Sequence, residues 1–324
     1  MSNQQPKDNN TEDDLTKAQN FDIEKQNYRL EVIKTWISGL GLLATVFAGI
    51  GLYFNYNSEK EKLVSERFSK AVEAMVTENN DRNLVGSVGG IYTLEWIANN
   101  SKNDYWTVME VLTLYVREKA KIPTQNTLNP QKQEKKDQQK EQESIKADVQ
   151  AVLTVIKRRN VIQEDPKDIN KFLDLSASNL PRANLKGANF NNAYFRESNL
   201  TGAMLQNLQA ENGHFNLTIL KGAILDGANL KNACFNSAKL TNADLKGVNL
   251  EGANLGGTDL NNANLENANL KNARFNNADL ENADFKGANL EGADLRNVKN
   301  PPEEVKLAQK RAKGIYKENE SCKT

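Results

Sequence analysis

The 324-residue chain has one histidine, His214, and two cysteines, Cys234 and Cys322. A single imidazole excludes a histidine metal cluster and a Ser-His-Asp triad. Two distant cysteines with no short spacing argue against a disulfide framework and against a zinc site, and we expect both thiols to be unpaired. Net charge is also missing: 42 basic residues offset 42 acidic ones, so global electrostatics steer the protein toward neither nucleic acid nor acidic membranes. No glycine-rich phosphate loop follows a strand pattern and no nucleophile elbow is present. We therefore assign no catalytic residue, metal ligand or cofactor, and read the chain as a non-enzyme.

What is present is a five-residue repeat from Leu173 to Val298. Leu or Phe recurs at Leu175, Leu180, Leu185, Phe190, Phe195, Leu200 and onward to Leu295, with one failure, at Ala210. A small residue sits two positions earlier, as in Ala183, Ala188, Ala193 and Ala263. A period of five keeps neither a helix nor a strand on one face. It fits a chain that turns a corner once per repeat and points one large and one small residue inward from each side of a square coil. Four repeats close a coil. Two residues after each large position stands mostly Gly or Asn (Gly187, Asn192, Gly202, Asn207, Asn262), which tolerate positive φ at the third position of a type II turn. Stacking at about 4.8 Å gives roughly six coils and a rod of about 30 Å.

This run resembles the pentapeptide-repeat family, with copies such as Ala243-Asp244-Leu245, Ala268-Asn269-Leu270 and Ala293-Asp294-Leu295. The resemblance implies a mainly β fold, a right-handed quadrilateral β-helix, over residues 172–299. It implies no shared chemistry.

Residues 1–20 are polar and read as a disordered tail. A charged segment then leads into an uncharged run of twenty residues, Thr35 to Phe54, within a juxtamembrane and transmembrane segment at 21–57. Twenty such residues span a bilayer core of about 30 Å, with Trp36, Tyr53 and Tyr56 at the interfaces. The long polar lead argues against a signal peptide. Gly41, Thr45 and Gly49, beside Ala44 and Ala48, form a small-residue stripe that suggests a homodimer through this helix. Lys60, Lys62, Arg67 and Lys70 follow the run and Lys25, Arg29 and Lys34 precede it. That excess, with the unpaired cysteines, leans toward a single-pass protein whose C-terminal part is cytoplasmic.

Helical periodicity marks a module at 58–121, with Leu63, Phe68, Val72 and Met75 on one face, then Val88, Ile91, Tyr92, Leu94 and Ile97. A third segment, capped by Asn103 or Asp104, carries Val108, Val111, Leu112, Tyr115 and Val116. A polar linker occupies 122–144, and a further helix from Asp148 to about Arg159 lies in 145–171. These stretches resemble the helical module that often precedes pentapeptide repeats in cyanobacterial and other bacterial proteins. Pro301-Pro302-Glu303-Glu304 opens a C-terminal capping helix within 300–324, with Val305, Ala308, Ala312 and Ile315 on one face. It would cover the open edge of the rod, and the helical module would cover the other end.

Asp and Asn before each large residue (Asp244, Asn249, Asp259, Asn264) read as solvent-facing polarity, with no basic partner to tune a pKa. The informative departures are apolar. A twenty-residue coil stacks Tyr194, His214 and Cys234 in one column, near Leu217. Met204 and Ile224 fall on the opposite face and Ile219 on a third. These seven residues are our candidate partner surface; back-packing by the helical module or the 122–144 loop is the alternative. The irregular run Leu208, Ala210, Gly213 suggests a bulge nearby.

The expected function is a membrane-tethered interaction scaffold for a protein partner not named by the sequence. The resemblance supplies an alternative, since some family members mimic duplex DNA and bind DNA gyrase. Mimicry needs dense negative charge, and the repeat region holds about as many basic as acidic residues, so no nucleic-acid surface is expected. An enzymatic site would have to involve Glu95, Glu110 and Arg117, which read as ordinary helix-surface charges.

Overall fold

The computed structural model describes residues 59–76, 84–122, 144–159, 161 and 171–311. Its helices are α1 (Glu59–Val76), α2 (Leu84–Asn100), α3 (Tyr105–Lys119), α4 (Ala147–Arg158) and α5 (Glu303–Arg311). Two compact units divide the chain inside α1, between Ser69 and Lys70. The described part of the first is helical. The helix expected over Thr35–Phe54, its small-residue stripe and most of the 122–144 linker lie outside the described residues. Among the described residues no helix is long and apolar enough to cross a membrane.

In the second unit, α2, α3 and α4 pack pairwise on one another. Ile91, Leu94 and Ile97 of α2 meet Val108, Leu112 and Val116 of α3 and Val152, Leu153 and Ile156 of α4 in a fully buried core. Gly90 is required where α2 crosses the chain at Ala71, because a Cβ there would collide with the Ala71 carbonyl. Val72 and Met75 of α1 are buried as the periodicity expects, but Leu63 on the same nominal stripe is exposed. Asp104 occupies the N-cap of α3 without capping it by its side chain. Its carboxylate instead accepts the Ser101 hydroxyl.

From Asp174 to Lys299 the chain winds as a square β-helix. Every rung is a single parallel bridge between residues twenty apart, such as Ile224↔Asp244 and Asp244↔Asn264. Successive coils are tied on both sides of each bridge: at Ile224↔Asp244, Leu225 N–H donates to Asp244 O at 2.7 Å, and Asp244 N–H to Ala223 O at 2.9 Å. Each corner is a turn closed by an N–H to C=O bond, as from Ala223 to Leu220 at 3.0 Å, with positive φ at the residue before the donor, here Gly222 at +63°. Leu and Phe fill the interior. Phe195, Phe215 and Phe235 stack along the axis with centroids 5.1 and 4.8 Å apart, so ring stacking reinforces the rung spacing.

One wall of small residues is hydroxylic, and its hydroxyls are satisfied inside the rod: Ser198 donates to Leu175 O and Thr218 to Phe195 O, each at 2.7 Å. No bulge interrupts the run at Leu208. Leu208 fills the small position and Ala210 the large one, both fully buried, and Gly213 leaves room for the Phe215 ring. Side-chain volume is exchanged within the repeat and the hydrogen-bond register continues unbroken from Ala210 to Asn229.

The helical module seats on the first coil. Lys121 pairs antiparallel with Ser178, Arg117 grips Asp174 at 2.6 Å, and Gln150 of α4 exchanges two hydrogen bonds with the Asn184 backbone. At the other end α5 begins just after Pro301-Pro302, buries Val305, and sends the Gln309 amide to Leu295 O at 2.9 Å. Both open edges therefore carry helical structure.

Candidate interaction surface

The outward position before each large residue is held by local chemistry. An Asp or Asn oxygen there accepts the backbone N–H two residues on, as Asp244 does from Lys246 at 3.2 Å and Asn264 from Glu266 at 3.0 Å. The same side chains run in ladders between coils, with Asn264 Nδ2 on Asp244 Oδ1 at 3.1 Å and Asn269 Nδ2 on Asn249 Oδ1 at 3.0 Å. Asp and Asn share the accepting oxygen, which explains why they alternate freely. Lys231–Glu251, Lys246–Glu266 and Lys271–Glu291 bridge consecutive coils in the same way. Among the described residues no cluster of three or more His, Cys, Asp or Glu is arranged to hold a metal.

The helical charges weighed for chemistry serve as ties instead. Glu95 forms a two-pronged pair with Arg158 at 3.0 and 2.8 Å, joining α2 to α4. Arg117 joins α3 to the rod, and Glu110 points to solvent. Tyr115 donates to Asp148 at 2.7 Å, and burial together with that carboxylate pushes its phenol far above the ordinary range.

The seven apolar candidates fall on three faces and one corner. On the first face Phe172, Tyr194 and His214 form a ring stack, with centroids 4.3 Å apart at each step. Burial holds His214 below the usual histidine pKa, and burial with the Asp174 charge raises the Tyr194 phenol. Cys234 continues this column and is 1% exposed. It is also disulfide-bonded, which corrects the expectation of unpaired thiols. Ile219 lies half-buried on the next face. Met204 and Ile224 lie on the face opposite His214, where Met204 lines a groove with Gln150, Thr154 and Arg158 of α4. The helical module thus approaches Met204 and leaves Leu217 open.

Leu217 stands at the corner between His214 and Ile219, 46% exposed, with φ at +59°. Corner residues of the rod are otherwise almost all Gly or Asn. Five are not: Ala177, Arg182, Glu197, Leu217 and Ser237. Four of these five stack at twenty-residue intervals on one corner, the one that carries Leu217. A branched apolar side chain in the left-handed region costs roughly 1–2 kcal/mol, and solvent exposure returns none of it. The sequence contains this signal, since the Gly/Asn rhythm fails on that corner in four successive coils and elsewhere only at Arg182, but apolarity by itself does not reveal it.

Family models match residues 218–300 as a pentapeptide repeat region and residues 178–216 as pentapeptide repeats. No curated protein matches the chain. Among solved structures, HetL from the cyanobacterium Nostoc sp. strain PCC 7120, a pentapeptide repeat protein involved in heterocyst differentiation regulation, is 29% identical over 39% of this chain and 69% of its own, with a TM-score of 0.22. A pentapeptide repeat protein from the Arabidopsis thaliana thylakoid lumen is 32% identical over 35% of this chain and 71% of its own, with a TM-score of 0.18. QnrB1, a plasmid-mediated fluoroquinolone resistance protein, is 21% identical over 45% and 84%, with a TM-score of 0.32.

Proposed function

The chain belongs to the pentapeptide-repeat proteins, and on that premise we propose that it is a membrane-tethered scaffold that binds a protein partner on the corner strip of His214, Leu217 and Ile219. The observation that carries this reading is Leu217, an exposed apolar residue at positive φ on a corner where Gly or Asn would be better tolerated. Strain that folding does not require points to a use outside the fold. Two coils further along the rod the same three positions carry Asn254, Gly257 and Asp259, so the regular repeat does not call for the side chains of this strip. Thr35–Phe54 supplies the tether, and the four basic residues after it against three before it favour a cytoplasmic rod. The bonded state of Cys234 removes cysteine chemistry as a second support for that side.

A DNA-mimicking reading is weaker. Residues 171–299 hold thirteen basic and thirteen acidic side chains, and Lys–Glu pairs neutralise one another between coils. Gyrase supercoiling unchanged by the added protein is the expected result.

Two measurements test the scaffold. The full chain should fractionate with membranes, and a chain lacking residues 35–54 should not; retention of the deletion variant on membranes would remove the tether. A partner that co-purifies with the full chain should be lost on Leu217→Asp substitution with the thermal transition preserved. Undiminished co-purification would place binding elsewhere.

A further inference from the structure

Three faces of the rod carry both charged and apolar residues at their outward positions, and the fourth carries neither. Its column runs Asn189, Gln209, Asn229, Asn249, Asn269 and Asn289, one residue per coil, joined by parallel bridges. The local turn does not demand this, because Asp accepts the same backbone N–H and does so at Asp244 and Asp284 on a neighbouring face. The ladder does not demand it either, since Asn264 donates to Asp244 as Asn249 does to Asn229. The exclusion of charge from successive coils therefore answers to something outside the coil.

The corners beside this face are charged, and their order is specific. The corner before it carries Asp226, Lys246, Glu266 and Lys286, and the corner after it Lys231, Glu251, Lys271 and Glu291. The Lys231–Glu251, Lys246–Glu266 and Lys271–Glu291 pairs account for the alternation along each column. They leave the phase between the two columns open. The phase present puts opposite charges on the two sides of the face at every one of these levels.

We infer that this face pairs with the same face of a second copy, the two rods lying parallel and in register about a two-fold axis along their length. Such an axis sets each central residue opposite its own equivalent, so an Asp or Lys there would meet its own charge. Amides avoid that repulsion, and amides already bonded along a ladder enter a close-packed interface without losing their partners. The same axis brings each corner against the other corner of the second copy, level by level: Asp226 to Lys231, Lys246 to Glu251, Glu266 to Lys271 and Lys286 to Glu291. A partner unrelated in structure would impose no such rule on the centre of the face. An antiparallel pair that also avoids like charges overlaps only the four coils from Asn229 to Asn289, so the parallel pair has the larger contact. The face lies opposite the Ile219 column, and pairing leaves the Leu217 strip open.

This pairing rests on neither the membrane tether nor the partner at Leu217, and its test is separate. Two differently tagged full-length copies are co-expressed in cells, one with a photo-crosslinking residue at Asn269. The expected result is capture of the other tag, with none from Asn264 on the neighbouring face. Asn249→Lys in both copies, or Asn249→Asp in both, should reduce capture at least tenfold, and a Lys copy with an Asp copy should restore it. The Asp variant keeps the acceptor for the Glu251 N–H, and Lys239 and Arg274 show that the rod accepts a cation at equivalent positions. At the corners, Lys246→Glu in both copies should weaken capture and the added Glu251→Lys should recover it. Undiminished capture between like-charged copies with an unchanged thermal transition, or a mixed pair no better than the like-charged pairs, would overturn the inference. Equal capture from Asn264, or capture of only other proteins at Asn269, would also overturn it.

Discussion

The His214 ring lies 4.3 Å from the Tyr194 ring with the planes 14° apart, because the two residues hold the same position in consecutive coils. Burial in this stack lowers the His214 pKa. In the unfolded chain histidine takes up a proton as pH falls through about 6.5, whereas the folded chain resists protonation to a lower pH. The His214 contribution is therefore complete above that point, declines as pH falls toward the folded-state pKa, and is level below it. His214→Phe should keep the stack and flatten that part of a stability-against-pH curve measured by chemical denaturation. An unchanged slope would mean that the imidazole is not desolvated.

Inward and outward positions should differ sharply under truncation. Leu265 is fully buried, and Leu265→Ala should cost about 2–5 kcal/mol through the cavity it leaves. Asn264 loses a ladder bond and a turn bond on Asn264→Ala, for about 1–2 kcal/mol in all. Equal shifts in denaturant midpoint would contradict the assignment of faces.

The rod was readable because a five-residue period, small and large inward residues and Gly/Asn corners all demand the same coil. The candidate surface was less so. Apolar outward residues mark Tyr194, Met204 and Ile224 without saying that the first leans on Phe172 or that α4 comes alongside the second. The bonded state of Cys234 was hidden because a single cysteine among the repeats carries no spacing signal. The expected bulge at Leu208 failed for a physical reason: sequence shows a size violation at Ala210, and only packing shows that Leu208 repays it in volume.

That exchange is testable by a double-mutant cycle. Leu208→Ala should cost about 2–5 kcal/mol and Ala210→Leu about 1–3 kcal/mol. The pair together should cost less than the sum, because each restores what the other removes. Additive costs would show that the two side chains fill separate spaces.

Leu217 separates stability from use. Leu217→Asn relieves a strained corner and should raise stability by about 1 kcal/mol, seen as a higher denaturant midpoint. A lower midpoint would show that Leu217 serves folding, and its exposure would lose its significance.

The most direct test of the partner surface places a photo-crosslinking residue at position 217 of the full chain in cells, with Asn277, three coils along the same corner, as the control. The expected result is one distinct protein captured at 217 and absent at 277, with capture abolished by an added Ile219→Asp substitution. Equal capture at both corners, or capture of this chain's own helical module at 217, would contradict the scaffold reading.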